Sequence, residues 1–141
     1  MIQVIDVDDW EDFERRLSDL RHQHAQHRAL VFRGLGDSTW DLTTTLERQG
    51  HVEMRFADYH RVIAASRPQV ETFTMASWGD IEDYPEIEKL ASGYDEFQRR
   101  LWGGHLRALD YMAYLRHQGF PSPLMDWTRS PYIAAFFAFR S

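Results

Sequence analysis

His117-Gln118-Gly119-Phe120-Pro121-Ser122-Pro123-Leu124-Met125-Asp126-Trp127-Thr128 is the stretch on which the reading of this chain turns. Its glycine stands where a helix from about His105 to His117, periodic in Leu106, Leu109, Met112, Ala113 and Leu115, needs a left-handed cap. Pro121 and Pro123 then enforce an extended path and predict a short strand, Leu124 to Trp127. Beyond it, Ser130 as N-cap and Pro131 at the first turn open a second helix, Pro131 to Phe139. A junction of this kind gathers backbone N–H groups and hydroxyls at one spot, the ordinary setting for an anion.

That last helix is apolar on every face, so it is expected in the centre of a core, with neighbours on all sides. The preceding chain offers few elements to surround it. The expectation is therefore an N-terminal portion of a longer chain, or a protein partner, as the cover for the helix.

Working back toward the N-terminus, Ala29-Leu30-Val31-Phe32-Arg33-Gly34 reads as a buried strand ending in an arginine. The planar guanidinium there suits either a phosphate or carboxylate ligand or an internal partner such as Asp126, and the residues leave both open. Residues 1–7 alternate weakly as an edge strand. Asp8 or Asp9 can cap a helix carrying Trp10, Phe13, Leu17 and Leu20 and ending near His22. Thr39 to Leu42 reads as another short strand, and Thr43 to Arg48 as a polar stretch. Val52 to Ser66 has helical spacing that Pro68 should terminate. Residues 69–104, where the acids crowd, read as a solvated excursion with one or two helical turns from Pro85 to Leu90.

The fold expected from these elements is α+β: one domain over residues 1–141, with a few short strands packed against four to five helices and incomplete at its C-terminus. At 141 residues, with 9 Phe, 6 Tyr and 5 Trp, the chain can bury a true core. The absence of cysteine excludes disulfides and thiolate chemistry. No apolar run reaches the ~20 residues of a membrane span and no signal peptide opens the chain, so a soluble, cytoplasmic protein is expected. A net charge of −6 argues against nucleic acid as a partner. His22, His24 and His27 lie close in sequence, but without a carboxylate partner they read as a polar helix end, and no metal is expected.

Taken together, Val31-Phe32-Arg33-Gly34 with Leu42, Leu46 and Arg48, and the later block His117-x-Gly119-x-Pro121-Ser122-x-Leu124-Met125-Asp126-Trp127-Thr128 with Ala134 to Ala138, resemble the FRG domain, a bacterial and phage family named for its Phe-Arg-Gly tripeptide. The resemblance runs from about residue 29 to the end. Arg116 stands where the family usually has glutamine, Ser122 where it has threonine, and Met125 where it has leucine.

The order of parts is also similar to the first two blocks of ADP-ribosyltransferases. That likeness implies NAD as cofactor, with Arg33 and Gly34 at a phosphate and Thr128 and Ser130 supplying hydroxyls. The glutamate block of those enzymes has no counterpart in these residues. His117 and Asp126 are the candidate catalytic pair, an imidazole for proton transfer and a carboxylate to orient it or hold Arg33. A non-catalytic module docking through its apolar last helix is the alternative.

Overall fold

The computed structural model describes residues 4–26 and 29–140. Seven α-helices make up its regular structure: α1 (Trp10–Gln23), α2 (Thr45–Arg48), α3 (Phe56–Thr74), α4 (Tyr84–Ser92), α5 (Tyr94–Trp102), α6 (Leu109–His117) and α7 (Pro131–Phe139). The α+β expectation is thereby corrected. Among the described residues, β structure amounts to one isolated antiparallel bridge, Phe32 with Thr128. Neither 29–34, 39–42 nor 124–127 forms a strand, and the part of the expected first strand over residues 1–3 lies outside the described residues. Side-chain exposure shows why. Val31, Trp40 and Leu42 are each more than half exposed, so no sheet face exists for these apolar residues to cover.

The chain divides into two compact units, one from residues 42–125 and one assembled from 1–41 and 126–141. The first is continuous in sequence and holds the larger core. Ile63 of α3, Ile87 of α4 and Tyr111 and Met112 of α6 are fully buried there, with Leu46, Leu90, Leu106 and Leu115 around them. Tyr111 keeps its hydroxyl satisfied through Ser66 Oγ at 3.0 Å.

Two expectations for this unit fail. Helix α3 runs through Pro68 to Thr74 instead of stopping before it. The turns beyond the proline are held by tertiary contacts: Val70 packs against the core and Glu71 Oε1 accepts from Trp78 N at 3.1 Å. The acid-rich stretch is likewise no excursion, because α4 inserts Ile87 and Leu90 into the core and presents its acids outward.

The second unit contains α1 and α7. Asp9 caps α1 by accepting from Asp12 N at 2.8 Å, as its sequence position suggests, and Leu17 is the residue α1 buries most completely among its apolar positions. Ser130 caps α7 by accepting from Ile133 N at 3.3 Å. The central burial expected for α7 is not what the fold provides. Only Pro131 and Ala134 are buried, while Tyr132, Ile133, Phe136, Phe137 and Phe139 are 46–83% exposed. Among the described residues no helix is long and apolar enough to cross a membrane.

Candidate functional site

The Phe-Arg-Gly tripeptide and the segment entering α7 meet in the discontinuous unit, and each of the three residues has its own attachment. Phe32 exchanges two backbone hydrogen bonds with Thr128, its N–H donating at 2.7 Å and its carbonyl accepting at 2.9 Å. Arg33 donates from Nη1 to the backbone carbonyl of Asp126 at 2.8 Å. Gly34 lies against α7 so closely that a Cβ built on it would stand 2.0 Å from the Ala134 carbonyl oxygen and 2.7 Å from the Ala138 amide nitrogen. Only a residue without a side chain fits there.

Arg33 thus has an internal partner, though not the carboxylate that the sequence suggests. The contact is with the main chain of Asp126, and it engages one of the five N–H donors of the guanidinium. Arg33 Nε is buried and has no hydrogen-bond partner among the described residues. A buried donor left unmade costs about 1–3 kcal/mol, so this nitrogen would gain from an acceptor.

The two hydroxyls of the junction have structural work as acceptors. Thr128 Oγ1 accepts from Ser130 N at 3.0 Å, and Ser130 Oγ accepts from Ile133 N. Each retains its O–H for donation, so the corner presents hydroxyl donors at the N-terminal, partially positive end of a nine-residue helix. Asp126 and Trp127, just before it, are both exposed.

Of the expected site residues, the fold therefore brings together Arg33, Gly34, Asp126, Thr128 and Ser130. His117 belongs to the other unit, where it is the exposed last residue of α6. Gly119 forms the predicted cap at φ +84°, with its N–H donating to Arg116 O at 3.0 Å and Phe120 N donating to Leu115 O at 2.9 Å.

Ser122, the hydroxyl of the Pro-Ser-Pro segment, is fully buried and ties that segment to α2. Its N–H donates to Thr45 Oγ1 at 2.9 Å, and its carbonyl accepts from Leu46 N and from the Thr45 hydroxyl. Arg116 Nη1 also reaches Thr45 Oγ1, at 3.4 Å.

Reading of the sequence missed the buried polar pair of the continuous unit, His60 and Glu82, each 1% exposed. Glu82 accepts from the N–H groups of Arg107 at 2.6 Å and Ala108 at 3.1 Å, anchoring the turn that opens α6. His60 Nε2 lies 3.9 Å from Glu82 Oε2, and among the described residues neither ring nitrogen has a hydrogen-bond partner. Burial pushes the imidazole pKa down, against the pull of Glu82 and Glu86. Spacing along α3 places His60 on the same face as Phe56 and Ile63, which a reader of apolar periodicity passes over because histidine is not counted as apolar.

Among the described residues no group of three or more His, Asp and Glu side chains is arranged to hold a metal ion; His27 of the histidine tract lies outside them. An open groove of about 430 Å³ in the discontinuous unit is lined by Trp10, Tyr132, Ala135, Phe136, Phe139 and Arg140, and none of the expected site residues lines it. A model of the FRG domain matches residues 28–141. No curated protein and no solved structure matches the chain.

Proposed function

The chain belongs to the FRG domain family, and from that premise we propose that it binds a phosphate-bearing nucleotide, NAD being the first to try, at the corner formed by Arg33, Thr128 and Ser130. One observation carries this reading: Arg33 Nε is without an acceptor among the described residues, while Nη1 of the same guanidinium is held on the carbonyl of Asp126, two residues before Thr128. A phosphate oxygen pair would fill the unsatisfied edge of the fork and gain from the α7 dipole. The main-chain bond to Asp126 holds the guanidinium in place and lowers the entropy lost on binding.

The finer form of the proposal is transfer of ADP-ribose from NAD, with Asp126 as the group assigned to orientation. Calorimetry with NAD and with ADP-ribose tests the binding step. The expected result is a Kd at least tenfold weaker in Arg33→Lys, about 1.4 kcal/mol, because a point charge cannot reproduce bidentate geometry. If the unaltered chain binds neither ligand, the nucleotide reading is wrong. Release of labelled nicotinamide together with label from the adenylate half of NAD on an acceptor protein, both absent from Arg33→Ala, would establish the transferase form; release with free ADP-ribose as the product means hydrolysis, and binding without release leaves a binding module.

A second reading has its own observation in α7, whose apolar side chains stand open. On that reading the domain docks to another protein through this helix. Loss of docking in Phe136→Asp, with NAD binding intact, is its signature.

A further inference from the structure

We propose that the exposed face of α7 is a self-pairing surface, on which a second copy of this chain docks antiparallel about a two-fold axis near Phe136. The proposal rests on the reading of α7 as a docking face and goes further by naming the occupant.

The faces of the helix divide cleanly. At 100° per residue, Pro131, Ala134 and Ala138 fall on one side, the side that meets Gly34. Phe136 falls opposite, flanked by Tyr132 and Ile133, with Phe139 and Phe137 toward the two edges, and these are 56%, 46%, 50%, 83% and 54% exposed in that order. Trp10 of α1, 51% exposed, extends that surface by packing on Tyr132 with ring centroids 5.9 Å apart. At roughly 100 Å² for each half-exposed aromatic, this surface offers on the order of 500 Å² per copy. That is a large share of the ~800 Å² per partner that a stable complex buries.

Charge identifies the occupant. At the N-terminal end of the open face, Tyr132 Oη donates to Glu14 Oε1 at 3.5 Å, so a carboxylate stands there. At the C-terminal end Arg140 lies over the Phe136 ring, 5.7 Å from its centroid, and pairs with no carboxylate among the described residues. From Tyr132 to Arg140 the helix rises roughly 12 Å. Antiparallel pairing about Phe136 therefore sets Arg140 of each copy against the Tyr132–Glu14 corner of the other, one cation to one anion at both ends. Parallel pairing would oppose Arg140 to Arg140. The patch is self-complementary, as a two-fold interface requires.

Sedimentation equilibrium of the 141-residue chain, from low to high micromolar, gives the test. A dimer mass is expected, reverting to monomer in Phe136→Asp. Arg140→Glu alone should weaken the dimer about tenfold, and Arg140→Glu combined with Glu14→Arg should restore it, because the swap preserves both ion pairs. These positions are exposed, and an unchanged far-UV spectrum checks that each variant folds. A dimer that survives Phe136→Asp, or a swap that fails to rescue Arg140→Glu, overturns the proposed geometry. A monomer at every concentration overturns self-pairing. Such a monomer would still support a docking face if it binds an apolar dye that Phe136→Asp releases, and without dye binding both readings fall.

Discussion

Single residues at this corner answer to different physical demands, and substitution separates them. Gly34 is required for space. In Gly34→Ala the new methyl would fall on the Ala134 carbonyl and the Ala138 amide, atoms of a helical backbone that cannot turn aside, and overpacking of this kind costs about 3 kcal/mol. Denaturant unfolding followed by tryptophan fluorescence should show that loss.

Gly119 is required for conformation. Nothing lies within 4 Å of its missing Cβ, but φ is +84°, so Gly119→Ala should cost about 1 kcal/mol in the same measurement. His60 is a third case. Its folded pKa is depressed by burial below the ordinary histidine value of 6.5, so the unfolded chain takes up a proton that the native one refuses. The stability this contributes is whole above the unfolded value and is lost as pH falls from there toward the lower folded one. At most about 1.4 kcal/mol per pH unit is at stake for one proton, and His60→Gln should flatten the dependence between roughly pH 7 and 5. The glycine cap and the arginine were legible in the sequence. The histidine was not, since only tertiary structure reveals that a polar residue on an apolar stripe is sealed from water.

Elements were read best where local chemistry decides them. The caps of α1 and α7 stand where Asp9 and Ser130 suggest, because a side-chain acceptor for an orphan amide is a short-range requirement. Strands were over-read. An apolar run such as Leu30 to Phe32 has the composition of a strand, but a strand exists only if a partner lies beside it, and here pairing extends over a single residue.

Pro68 shows the opposite error, a local rule overridden by packing. The proline deprives the Ala64 carbonyl of its usual donor, yet Val70 and Glu71 beyond it hold α3 in register. Restoring the amide should stabilise the chain, and Pro68→Ala is expected to raise the unfolding free energy by about 2 kcal/mol, the helix gain less the added entropy of the unfolded chain. A lower melting temperature would show that the proline ring itself packs usefully.

At the scale of the whole molecule, an apolar face is carried on a surface of modest net charge, −6 near neutral pH, with a sequence pI of about 5.6. Repulsion between copies weakens as pH approaches that value, so light scattering at fixed concentration should rise toward a maximum near pH 5.6 and fall when Phe136 is made Asp. Scattering that stays flat across the range would mean the face does not drive association.

The composition of the unit that carries this face also governs how it can be made. Arg33 and its acceptor on Asp126 are 93 positions apart, and the residues between them fold into a unit of their own. A ribosome adding roughly 5–20 residues per second leaves the Phe-Arg-Gly segment waiting about 5–20 s for the strand of chain that completes it. In that interval Phe32 has no Thr128 to pair with and Gly34 no α7 to lie against, while the intervening unit can fold as it emerges. The nascent chain is thus obliged to finish its middle before its beginning, and its N-terminal segment is the part a chaperone would be expected to hold.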